Sequence, residues 1–105
     1  MSKKKANICI VLASTPGNEN RYSLIKITKA ALKMGHTVQI FLMSDGVYHL
    51  LSDEFMALAD KGVKIALCAH NALERGLEKR PGVLFGSQYD LSTMVAESDT
   101  FLSFH

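Results

Sequence analysis

The stretch Ile8-Cys9-Ile10-Val11-Leu12-Ala13 decides the fold. It is continuously apolar and rich in β-branched residues, so it offers water no polar face. A strand of this kind is buried on both sides, as strands are in parallel sheets and rarely in antiparallel ones. Two other stretches read the same way, Thr37 to Met43 (TVQIFLM) and Val63 to Cys68 (VKIALC). Val83 to Phe85 predicts a short fourth strand and Thr100 to Phe104 a fifth.

The segments between these runs have helical spacing. From Glu19 to Met34, apolar Tyr22, Ile25, Ala30 and Leu32 alternate with basic Lys26, Lys29 and Lys33, which predicts an amphipathic helix. Asn18 is the expected cap and Gly35 the expected stop. Val47 to Leu51 predicts a short helix or turn. Ser52 then caps a helix with Asp53 and Glu54 in its first turn, which runs to Lys61 and stops at Gly62. Ala69 to Leu77 reads as a loop and a short helix, and a last helix starts at Ser87 or Asp90. Strand and helix alternate throughout. Parallel strands need crossovers, so the expected class is α/β, three layers, with a parallel sheet of about five strands.

The chain has 105 residues, the size of one domain, and residues 1–6 are expected to form a flexible basic tail. Apolar residues make up 48% and charged residues 21%, which excludes a disordered chain. No apolar run is long enough to span a bilayer, and the run after Lys5 is too short for a secretory signal, so a cytoplasmic protein is expected. The net charge is +2, and three of the lysines, Lys3 to Lys5, belong to the tail. There is no tryptophan and no concentrated basic patch, which argues against nucleic-acid binding.

Ligands in open α/β sheets bind at the carboxyl ends of the strands. Four segments fall there: Ser14 to Asn18, Ser44 to Val47, Cys68 to Asn71, and Gly86 to Gln88. Ser14 to Asn18 (STPGN) matches neither the P-loop nor the Gly-x-Gly-x-x-Gly pattern. Ser14, Asn18, Asp45, Gly46, Asn71 and Gly76 are pocket candidates. Two cysteines are too few for a disulfide framework or for a zinc site by themselves. Cys9 lies inside the first strand and reads as core filling. Cys68 ends the third strand where a helix begins, so it is the candidate nucleophile. His70 and Arg75 are the candidate cations to stabilise its thiolate. A buried, inert Cys68 is the competing reading. His49 is placed where it could approach the site, and His105 is expected to be disordered. The four histidines lack metal-ligand spacing, so neither metal nor cofactor is expected.

Together these segments resemble the DsrE/DsrF-like sulfur-relay family. The resemblance rests on Gly35-His36 before the second strand, Asp45-Gly46-Val47 after it, and Cys68 followed by Asn71-Ala72-Leu73-Glu74-Arg75-Gly76. Phe85-Gly86-Ser87 to Leu91, then Asp99 and the strand to Phe104, extend it over nearly the whole chain. It implies a small α/β protein that assembles as a trimer or hexamer, alone or with related subunits. It also implies a cysteine, here Cys68, that accepts sulfane sulfur as a persulfide and passes it to partner thiols. Arg75 and Gly76 match the family's Arg-Gly pair. The chemistry suits a single thiol. Without a second cysteine nearby, the exchanging thiol must belong to another molecule. The alternative is a non-catalytic oligomeric binding protein of the same fold, taking a small anion or nucleotide at the helix that follows Asn18. The apolar stretch Tyr48, Leu50, Leu51 and Phe55 is a candidate interface, and a buried core face explains it equally well.

Overall fold

Every apolar run becomes a strand in the computed structural model, which describes residues 5–15 and 20–105. The strands are β1 (Asn7–Leu12), β2 (Thr37–Leu42), β3 (Lys64–Cys68), β4 (Val83–Gly86) and β5 (Thr100–Phe104). The helices are α1 (Asn20–Lys33), α2 (Asp53–Met56), α3 (Ala69–Glu74) and α4 (Gln88–Glu97). Two 3₁₀ segments, Ser44–Leu51 and Ala57–Lys61, flank α2. The expected Asn18 cap and most of the loop before it lie outside the described residues.

All strand pairs are parallel, in the order β4-β3-β2-β1-β5. β1 is an interior strand, and Ile10 stands opposite Ile40 of β2 on one side and Leu102 of β5 on the other. The chain steps outward from β1 to β4, and α4 then returns it to the far side of β1. Right-handed crossovers put the three outward connections on one face and the return on the other. The burial agrees. On the first face, Ile10, Leu12, Ile40, Leu42, Ile65 and Leu67 join Leu24 and Ile25 of α1, Phe55 of α2 and Ala72 of α3 in one core. On the second, Cys9, Val11, Phe41, Ala66 and Cys68 meet only Met94 and Leu91 of α4 and Met43. One ten-residue helix does not cover that face. Leu84 of β4 and Phe101 of β5 keep 44% and 48% of their surface exposed there.

The segment after β2 is helical from Ser44, three residues earlier than its apolar pattern predicts. It lies directly on the end of β1. A Cβ on Gly46 would sit 2.0 Å from the Leu12 carbonyl oxygen, closer than any side chain permits. Leu50 and Phe55 turn inward and are buried, whereas Leu51 is exposed. Two of the four residues of the candidate interface, Leu50 and Phe55, are therefore core, and a 3₁₀ turn rotates neighbours by about 120°, which turns Leu51 out where Leu50 turns in. Ser52 caps α2 as expected, its Oγ accepting from the Phe55 N–H at 3.2 Å. Gly35 and Gly62 close their helices at φ +90° and +93°, a conformation that other residues adopt only with strain.

The contact at Gly46 sets a test of the fold. Gly46→Ala forces backbone apart and should lower the unfolding free energy by about 3 kcal/mol or more, at the upper end of overpacking costs. Chemical denaturation of the two proteins measures it, and a loss below about 0.5 kcal/mol would refute the close approach.

Candidate functional site

β3 ends on Cys68 and α3 begins at the next residue. Cys68 is thus the N-cap of α3, and its Sγ accepts a hydrogen bond from the Asn71 N–H at 3.5 Å. Ser, Thr, Asp or Asn normally fills this position, with an oxygen as acceptor. Cys68 shares the second face of the sheet with Ala66 and is 7% exposed. Its neighbour across the ladder is Gly86, so no side chain stands beside it on β4. A Cβ at Gly86 would meet the Asp90 carboxylate at 2.6 Å. That carboxylate accepts from the Ser87 N–H at 2.7 Å and from Ser87 Oγ at 3.1 Å, which anchors the start of α4.

A cleft of about 780 Å³ opens over Cys68 between the ends of β2, β3 and β4. Its walls are Met43 and Ser44, then Cys68 to Asn71, then Gly86 to Tyr89. Ser44 has φ +50°, the only non-glycine among the described residues with positive φ. Its N–H donates to Asn71 Oδ1 at 2.8 Å. Asn71 therefore binds both walls: its backbone N–H reaches Cys68 and its side chain holds Ser44 in a conformation that costs on the order of 1 kcal/mol.

Of the pocket candidates, Asn71 lines the cleft, and Cys68 and His70 line it with Asn71. Asp45 stands beside Ser44 but turns to Arg75, whose Nε donates to Asp45 Oδ1 at 3.1 Å and whose other nitrogen lies 3.0 Å from it. Arg75 also donates to the Asn71 carbonyl at 3.1 Å. His70 is 3.5 Å from Glu74. Both cations considered for the thiolate are thus held by carboxylates, and the hydrogen bond on Sγ comes from the backbone. Gly46 serves the close approach to β1, and Gly76, at φ +70°, ends α3. Neither lines the cleft. Asn18 lies outside the described residues. Ser87 and Gln88 fall in a segment placed at the strand ends by the sequence. Met43 and Tyr89 are additional, and only their packing against the site reveals them.

Ser14 and His49 form a separate feature. The His49 side chain is fully buried, its Nε2 is 3.0 Å from the Ser14 carbonyl oxygen, and its ring lies 5.2 Å from that of Phe55. His49 is therefore a core residue and does not approach Cys68. Burial holds its pKa below the ordinary histidine value, opposed by the bond to Ser14 and assisted by Arg21. Burial likewise raises the Cys9 thiol pKa, and Cys9 is completely enclosed. His105 is tied down: its carbonyl accepts from Asn20 at 3.1 Å and its ring is 2.7 Å from Ser103 Oγ. Among the described residues no cluster of His, Cys, Asp and Glu is arranged to hold a metal ion. Among the described residues no helix is long and apolar enough to cross a membrane.

The model of the DsrE/DsrF-like family matches residues 6–104. An uncharacterized protein of Methanopyrus kandleri is 30% identical, over 92% of this chain and 93% of that protein. An uncharacterized protein of Methanocaldococcus jannaschii is 26% identical, over 90% and 96% respectively. The crystal structure of the YchN protein from E. coli superposes with a TM-score of 0.80 at 20% identity, covering 96% of this chain and all of that one. That similarity establishes the fold.

Buried His49 makes stability depend on pH. The folded state holds it neutral more strongly than the unfolded state does, so its contribution is complete above the ordinary histidine value of 6.5. It is lost as pH falls from there toward the lowered folded value, because the unfolded chain binds the proton first. The unfolding free energy of the wild type should therefore fall more steeply below pH 6.5 than that of His49→Gln. Parallel slopes in denaturant titrations across that window would refute it.

Proposed function

The chain belongs to the DsrE/DsrF-like family, and on that premise we propose that it carries sulfane sulfur as a persulfide on Cys68. The observation that supports this best is the position of Cys68: it is the one cysteine at the carboxyl edge of the sheet, and it lines a cleft while Cys9 is enclosed. Ligands of open α/β sheets bind at that edge. The Asn71 N–H donates to Sγ at 3.5 Å and holds the sulfur in place at the cleft wall.

In the forward step the Cys68 thiolate attacks the outer sulfur of a donor persulfide. A bond forms between Sγ and that sulfur, the donor's S–S bond breaks, and the donor leaves as thiolate and takes up a proton. Delivery is the same exchange with an acceptor thiol in the attacking role. No net oxidation or reduction occurs. Neither direction needs a second cysteine in the chain, which fits the seclusion of Cys9. Enclosure within an oligomer, with copies of itself or with related subunits, belongs to this reading. The incompletely covered face with Leu84 and Phe101 is its candidate interface.

Two measurements test the proposal. After incubation with a persulfide donor, the intact mass should rise by one sulfur atom in the wild type and in Cys9→Ser, and remain unchanged in Cys68→Ser. Absence of the adduct under conditions that load a known carrier would sink the carrier reading. Light scattering should give a mass well above the 11.5 kDa of one chain, and a sharp monomer peak would contradict the assembly.

A further inference from the structure

Beside the Cys68 cleft lies a second hollow of about 360 Å³, lined by Ala69, Leu73, Leu77, Lys79 and Phe85. Ala69 is a wall of both, and Phe85 of the hollow precedes Gly86 of the cleft along β4. The two form one continuous surface around the start of α3. Leu77 and Phe85 pack partly against the core, but Leu73 keeps 77% of its surface exposed. Tyr89, a wall of the cleft, keeps 79%. Scattered apolar side chains on a surface carry no meaning, but apolar side chains gathered round one cleft mark a binding surface. Lys79 is the charged wall of the hollow. Arg21, His70, Arg75 and Arg80 each face a carboxylate, whereas Lys79 meets none among the described residues. The order of residues on α3 also sets a length. Ala69 and Leu73 are one helical turn apart, about 6 Å along the axis. Two residues of an extended chain cover about 6.6 Å. A chain with its cysteine over Ala69 therefore places the side chain two residues away at Leu73.

We propose that this hollow docks an extended segment of the protein that exchanges sulfur with Cys68, seating an apolar residue two positions from the partner's cysteine and an acidic residue beside it against Lys79. The inference rests on the carrier reading and names the chemistry of its partner. Cys68 is 7% exposed within its cleft, so a partner thiol arrives on a segment narrow enough to enter. A small thiol would use the cleft alone. An extended segment also uses the hollow next to it, where Leu73 and Leu77 supply apolar contact and the Lys79 ammonium attracts a carboxylate. Leu73 and Lys79 are specificity residues in this scheme, and neither touches the exchanging sulfurs.

Two persulfide donors make the test. One is the peptide acetyl-Asp-Leu-Gly-Cys-Gly-Leu-Asp-amide, whose palindromic order serves either chain direction. The other is N-acetylcysteine amide, which is too small to reach the hollow. In each case the thiolate of Cys68 takes the outer sulfur, and the parent thiol leaves and is protonated. Loading is followed by intact mass, and the readout is the ratio of kcat/KM for the peptide to kcat/KM for the small donor. Leu73→Ser should lower that ratio about five- to twentyfold, the loss expected for one partly buried leucine contact. Lys79→Glu should lower it about two- to fivefold, less at high salt, as for an exposed ion pair. A peptide with lysine in place of both aspartates should reverse the order, loading Lys79→Glu better than the wild type. An unchanged ratio in Leu73→Ser, or no reversal in Lys79→Glu, would overturn the docking segment while leaving the carrier intact. A smaller light-scattering mass for Leu73→Ser than for the wild type would overturn it as well, since the hollow would then be an interface between copies of the chain. Loading by neither donor would overturn the carrier reading, and this inference with it.

Discussion

The 3₁₀ segment that follows β2 lies so close to the end of β1 that only a glycine fits where Gly46 faces the Leu12 carbonyl. This contact determines where the chain goes after β2. With Gly46 pressed on β1, Ser44 must turn through a left-handed conformation, and Asp45 is carried to the outer edge. Ser44 then meets Asn71, and Asp45 meets Arg75, across the gap to the helix after β3. Two segments far apart in sequence are thereby joined at one sheet edge, and the cleft over Cys68 is the space between them. A backbone approach of this kind is stiff, because carbonyl and Cα cannot adjust as a flexible side chain does.

The asymmetry of the sheet explains which thiol can act. Three outward crossovers stack on one face and fill it with α1, α2 and α3. The return crossover supplies the other face with α4 alone. Both cysteines point to this thinner side. Cys9 sits in the interior strand β1 beneath α4 and is enclosed, while Cys68 sits at the end of β3, beyond the helix and beside a glycine. The difference in their environments comes from position along and across the sheet, not from local sequence.

Most of the scaffold is legible in the residues. Continuous apolar runs identified β1, β2 and β3, since a strand buried on both faces leaves no polar alternation, and shorter runs identified the half-exposed edge strands β4 and β5. Glycines at Gly35 and Gly62 and the cap at Ser52 placed helix ends, because each requires a particular backbone or side-chain chemistry. The site is legible in part. Cys68 and Asn71 follow from their place at a strand end. The engagement of Arg75 by Asp45, 30 residues away, does not, since a distant charge has no preferred partner until the fold brings one near, whereas His70 and Glu74 are an i, i+4 pair on α3. His49 was misplaced for a related reason: a histidine in an amphipathic segment gives no sign of which face its turn will bury.

What the sequence by itself determined is the alternation of buried strands and helices, and hence a parallel α/β sheet with a thiol at its carboxyl edge. Hydrophobic periodicity and backbone stereochemistry are local properties, written in consecutive residues. What only the tertiary structure decided is the strand order, the fully buried His49, the Asn71 bridge to Ser44 and the charge pairing around Cys68. The bonds of His49 to Ser14, of Ser44 to Asn71 and of Asp45 to Arg75 join residues 35, 27 and 30 positions apart, and β1 pairs with β5 across most of the chain; such contacts exist only once the chain has closed on itself.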